Sequence, residues 1–207
     1  MSDTVTVTVD GRDERAPDLA SVDLRVRSTD PDVGTARAAT DRRSEVLFET
    51  LADHQVPEEA TNTTNYRVSR ERDHTQRPPV EGDYVVTHHV HVESADLDDV
   101  GDLLADCIDD AEAGLSSLSY TLREATEREA KSAALTDAMA LARDRAATLA
   151  AAEVRSVGAV QSVTAGDASA TEVRTVEAAQ ESGTTRVGPR PGPVETTVTV
   201  TVTYALE

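Results

Sequence analysis

The sequence predicts an α+β fold, a mostly antiparallel sheet backed by helices in the order ββαββαβαββ, from three observations. Both chain ends alternate threonine and valine, TVTVTV at 4–9 and VETTVTVTVTYAL at 194–206, the period-two pattern of half-buried strands. Residues 123–151 contain no glycine or proline, and alanine recurs at 130, 134, 138, 142, 146 and 150. That composition makes one long Ala-rich helix, about 43 Å if unbroken. Between these landmarks, apolar stripes at helical spacing interrupt runs of β-forming residues.

In order, Thr4–Val9 is a strand, Gly11 to Pro17 a turn, and Leu19–Arg27 (LASVDLRVR) a second strand that reads as a hairpin partner of the first. Asp32 is an N-cap for a helix to about His54, with Ala36, Ala39, Val46, Leu47 and Leu51 on its apolar face. Thr61–Arg72 and Asp83–Glu93 form a hairpin around a loop containing Pro78-Pro79. Asp96 caps a helix from Leu97 to Ala113 whose face is Leu97, Val100, Leu104, Cys107, Ile108 and Ala111, and Gly114 closes it. Leu115–Leu122 is a short strand leading into the long helix. There, Leu135, Met139, Ala142, Ala146 and Leu149 make an apolar stripe, and the alanine ridge admits a close neighbour. Val157–Thr164 is a strand. Residues 165–193 lack periodicity and end in GPRPGP, a mobile loop before the terminal strand Val194–Leu206. Pairing the two Thr/Val strands ties both chain ends into one sheet. Residues 1–207 read as a single domain.

Composition narrows function. Net charge is −19, from 39 acidic against 20 basic residues, and Lys131 is the sole lysine. This resembles proteins of a salt-rich cytoplasm, where a short Debye length mutes repulsion among surface carboxylates. It argues against a nucleic-acid or anionic-membrane partner, since both need a basic face. The first residues enter a strand without a signal-peptide pattern, and no stretch is long and apolar enough to span a bilayer, so a cytoplasmic location is expected. A single cysteine cannot form an internal disulfide.

Several pieces in order resemble one family: Ala16-Pro17-Asp18-Leu19-Ala20 entering the second strand, Gly82-Asp83-Tyr84 opening the central one, and the run Asp96–Leu104. The Ala-rich helix, Val157-Gly158-Ala159-Val160 and Pro191-Gly192-Pro193-Val194-Glu195 follow. The chain resembles the SIMPL-domain family, the group around the periplasmic immunogenic protein and the oxidative-stress-associated protein. It departs in two places. Ala151-Ala152-Glu153 stands where the family usually has a glycine after the long helix, and the signal peptide of bacterial members is missing. The resemblance implies a single SIMPL-like domain, a tendency to form closed homo-oligomers, a link to stress, and no catalytic residues or cofactor.

The sharpest chemical cluster is His88, His89 and His91. Alternation puts His89 and His91 on one face with Thr87 and Glu93, and His88 on the other between Val86 and Val90. His89, His91 and Glu93 are the metal candidates, but one strand supplies an incomplete set, and only His54 and His74 could add to it. Cys107 falls on an apolar helix face and reads as a buried, inert thiol. Asp96, Asp98, Asp99 and Asp102 lack the glycine and spacing of a calcium loop, so capping explains them better. Phosphate loops and nucleophile elbows are missing. Two readings remain: a non-enzymatic, self-assembling protein whose terminal strand offers an edge to a neighbour, or a small-ligand or metal-binding module using a sheet–helix pocket or the histidine strand.

Overall fold

The computed structural model describes residues 3–73, 80–166, 169–172 and 191–207. Their elements are β1 (Thr4–Arg15), β2 (Leu19–Asp30), α1 (Val33–Asp53), a 3-10 turn (Glu58–Ala60), β3 (Thr61–Asp73), β4 (Val80–Ser94) and α2 (Val100–Ala111). After them come β5 (Gly114–Thr121), α3 (Glu124–Ala152), β6 (Val157–Ala165), β7 (Ser169–Glu172) and β8 (Val194–Leu206). The class is α+β, and the order matches the expected one apart from β7, which lies inside the stretch predicted to be a loop. The rest of that stretch, 167–168 and 173–190, and the Pro78-Pro79 loop fall outside the described residues.

The strands divide between two sheets rather than sharing one. One has the order β1-β8-β6 with β7 also on β8, and the other β3-β4-β2-β5. The described residues form two compact units accordingly, one from those through Pro17 and from Thr121 onward, the other from Asp18–Tyr120. The expected β1–β2 hairpin does not form. The expected pairing of the two Thr/Val strands does form: β1 pairs antiparallel with β8 along its whole length, from Thr4↔Ala205 to Arg15↔Val194. Two strands of matched alternation satisfy each other's ladders and bury one common face against α3.

In the first unit, Val7, Val9, Val198, Val200, Val202 and Tyr204 turn toward α3. Threonines point the other way, and their hydroxyls pair across the strands at 2.9 Å, Thr6 with Thr203 and Thr8 with Thr201. The buried residues of α3 are Ala130, Ala134, Ala138, Ala142, Ala146 and Ala150, the predicted ridge. Leu135 and Leu149 of the predicted stripe are exposed, and only Met139 of its larger members packs on the core. Close approach is the reason: a Cβ on Gly11 would lie 2.2 Å from the Ala134 carbonyl oxygen and 2.3 Å from the Ala138 nitrogen. At that spacing only alanine fits between helix and sheet.

Strand β8 is central, which overturns the expectation that it presents a free edge. Its second side is occupied by β6 over Val200–Leu206 and by β7 over Val194–Thr197. On the side of β1 away from β8, α3 supplies side-chain cover. The Arg12 amide donates to Asp137 Oδ2 at 3.0 Å, and Arg145 Nη1 donates to the Thr8 carbonyl at 3.0 Å.

Helix α3 ends in an arrangement that normally takes glycine. The Arg155 amide reaches back to the Ala150 carbonyl at 2.9 Å, and Val154 holds φ of 58°. A β-branched residue pays a steric penalty there. Val154→Gly is therefore expected to raise stability by about 1 kcal/mol, measured by urea unfolding, and a loss of stability would refute the assignment of strain.

In the second unit, α1 and α2 cover one face of the sheet. Val22, Leu24, Val26, Val90 and Val92 meet Leu47, Leu51, Val100, Leu103 and Cys107 there, and each such side chain contributes roughly 1.5–3 kcal/mol on full burial. Asp32 caps α1 as predicted, accepting from the Thr35 amide at 2.9 Å and its hydroxyl at 3.1 Å. Ahead of α2, Asp96 accepts the amides of Asp98 and Asp99 at 3.2 Å each, one turn before the helix proper. Gly114 does not close α2. Glu112 adopts the left-handed conformation and Gly114 opens β5.

Candidate functional site

Alternation along β4 places its histidines as the sequence predicts: His88 is buried beneath α1, and His89 and His91 share the opposite face. Around His88, Ser44 Oγ lies 2.8 Å from Nδ1 and Thr63 Oγ1 lies 2.9 Å from Nε2. Ser44 gives its single hydroxyl proton to the Thr40 carbonyl at 2.9 Å. It must then accept from His88, so Nδ1 carries the proton and Nε2 accepts from Thr63. Phe48 and Tyr66 flank the ring at centroid distances of 6.0 and 5.4 Å. Burial pushes the His88 pKa down, against the opposing charge of Asp41. The imidazole is neutral and doubly satisfied, a structural hub.

The opposite face holds a second chain of contacts. Asp23 on β2 accepts from Ser117 Oγ at 2.6 Å and meets His91 Nδ1 at 2.9 Å. Those two hydrogen bonds, Ser117 first, hold its carboxyl below the ordinary range. Glu93 lies 3.8 Å from the other ring nitrogen, Nε2. The carboxylates thus approach His91 from opposite sides of the ring. His89 stands across from Arg25 and Asn65 instead. The candidates His89, His91 and Glu93 share a face without converging, whereas metal ligands converge on one point. Among the described residues no group of three or more His, Cys, Asp or Glu side chains is placed to hold a metal ion. His74 lies outside the described residues.

A fourth histidine was passed over by sequence reasoning except as a distant auxiliary. His54 caps the C-terminus of α1, where Gln55 turns left-handed (φ 59°) and the Val56 amide returns to the Leu51 carbonyl at 3.0 Å. That turn aims the ring at α2. Nδ1 lies 2.6 Å from Asp99 Oδ2, and Nε2 lies 2.9 Å from Asp106 Oδ2. Carboxylates accept and do not donate, so both ring nitrogens carry protons. The hydrogen bond to Asp99 is the main cause of a raised His54 pKa. A cavity of about 500 Å³ adjoins it, lined among others by Asp53, Ser94, Asp96 and Asp99. The only sequence signal was the spacing of Asp99 and Asp106, two turns apart on one helix face. Cys107 is buried nearby, its thiol pushed up to about 12 by desolvation, as the inert reading expects.

The model of the SIMPL family, described as a protein of unknown function (DUF541), matches residues 5–204. The chain belongs to the SIMPL family. Comparison with curated proteins finds no match. Membership accounts for the ordered set of short resemblances along the sequence, since both units fall within the SIMPL match. In this SIMPL chain the residue turning left-handed after the long helix is Val154 rather than a glycine. No helix among its described residues is long and apolar enough to cross a membrane.

Proposed function

We propose that this SIMPL protein is a non-enzymatic, self-assembling subunit that forms a homo-oligomer closed by rotational symmetry, with a stress-related role. One observation carries the reading, the edge strand β6. It is nine residues long (VGAVQSVTA) and bears no charge. Among the described residues its only ladder is with β8. Val160 and Val163 are 44% and 49% exposed along it. Of the other outer strands, β1 is blunted by Asp137 and Arg145 and β3 by Arg67, Arg70 and Glu71, while β5 (GLSSLSYT), uncharged as well, is eight residues long and lacks the exposed valines of β6. An uncharged edge of this length favours pairing with a second chain.

The test is native mass by light scattering in molar salt. The wild type is expected to run as a discrete oligomer and a Val160→Lys, Val163→Lys variant as a smaller species. A wild-type monomer at micromolar concentration would overturn self-assembly, and a double variant of unchanged mass would overturn strand addition at β6. The second reading, a small-ligand or metal-binding module, is favoured by the cavity beside His54, whose carboxylates suit a cation.

A further inference from the structure

Charge is segregated within the unit spanning Asp18–Tyr120. Residues 93–122 contain no lysine or arginine, and α2 is the acidic helix of that stretch. Asp106 is engaged with His54 and Glu112 with Arg43, at 2.8 Å. Asp109 and Asp110 are exposed and have no hydrogen bond or ion pair among the described residues, and Ile108 beside them is 45% exposed.

The sheet face that α1 and α2 leave open has the opposite character at one end. Arg25 lies across from His89, while Arg27 and Arg67 lie on either side of Thr87, so three arginines flank β4, two from β2 and one from β3. Arg27 is paired with Glu71 at 2.7 Å. Arg25 and Arg67 are exposed and have no ion-pair partner among the described residues. In a chain with nearly twice as many acids as bases, these two unpaired arginines on either side of β4 leave positive charge that carboxylates of a second copy could meet. Ser117 reaches Asp23 on this face, and a Cβ on Gly114 would lie 3.6 Å from Arg25 Nη2, so the start of β5, with Leu115 44% exposed, lies beside the arginines.

We propose that this open face receives α2 of a second copy of the chain, Asp109 and Asp110 against Arg25 and Arg67, with Ile108 seated on Leu115. The inference rests on the self-assembly reading and adds a partner surface distinct from β6. Two copies at −19 each repel overall, and this contact sets opposite charges around an apolar centre. The two surfaces lie on opposite sides of one sheet, so the contact is head-to-tail. It therefore closes into a ring when the rotation per subunit divides a full turn.

Two charge-reversal variants test it, Arg25→Glu with Arg67→Glu, and Asp109→Arg with Asp110→Arg, all at exposed positions, with folding checked by circular dichroism. Masses are read by light scattering for the wild type, each variant, and an equimolar mixture. Each variant alone is expected to lose at least about half of the wild-type mass, because its two surfaces then carry like charge. The mixture is expected to regain the wild-type mass, since each reversed surface finds its complement on the other variant. An assembled wild type whose variants keep its mass, or a mixture that stays small, overturns the α2 contact and leaves self-assembly standing. A monomeric wild type overturns both.

Discussion

Replacing Gly11 with alanine is expected to destabilise the β1–β8–β6 unit by about 3 kcal/mol, the upper end of what overpacking costs. The added Cβ would sit 2.2 Å from the Ala134 carbonyl oxygen and 2.7 Å from the Ala138 Cα. Those are main-chain atoms of a helix, so no side-chain rotation relieves the clash, and Ala138→Gly offers no rescue. Helix α3 must lift, thinning its contact with Val9, Val200 and Val202, which are at most 4% exposed. The gain from a less flexible unfolded chain, about 0.4–1 kcal/mol, is too small to offset this. Urea unfolding in molar salt measures the effect, and a midpoint equal to wild type would show that helix and sheet are not in backbone contact.

The second large effect is expected at His54. Its two ring nitrogens face Asp99 and Asp106, so the folded state binds the imidazolium proton more tightly than the unfolded chain does. The folded pKa is raised above the ordinary 6.5. The resulting stability is fully present below the unfolded value and is lost as pH rises through the folded one. His54→Gln is expected to cost about 1–2 kcal/mol near pH 6, a charge-assisted pair discounted for the solvent reaching Asp106. The gap between wild type and variant should then close as the pH is raised through the folded-state pKa, because the imidazole becomes neutral. A gap independent of pH would mean that the ring is neutral in the fold and the two contacts are not ionic.

Much of the local structure was legible because local rules govern it. Period-two alternation assigns a residue to a face, and it correctly separated His88 from His89 and His91. The alanine ridge of α3 and the Asp32 cap were equally readable, since helical spacing and capping involve residues a few positions apart. Partners were another matter. Alternation says which face a strand buries and little about its neighbour, so β1 was joined both to β2 and to β8, and only the β8 ladder forms. The same gap made β8 look like a free edge when it is the centre of its sheet.

The site followed that division. Thr40, Ser44 and Thr50 are buried on α1, where an apolar stripe does not count them, because each hydroxyl donates to the carbonyl four residues back. Ser44 then orients His88, across 44 residues of sequence. His54 meets partners 45 and 52 residues away, and nothing near it in the chain announces them. By itself the sequence determined the elements apart from β7, the buried face of most strands, the acidic composition and the family likeness, all of which follow from composition and short-range periodicity. Only the tertiary structure decided that the strands divide between two sheets with β8 and β4 inside them, why α3 buries alanine rather than leucine, and which carboxylates meet which cations. Those depend on distances between residues far apart in the chain, and a packed backbone alone sets them.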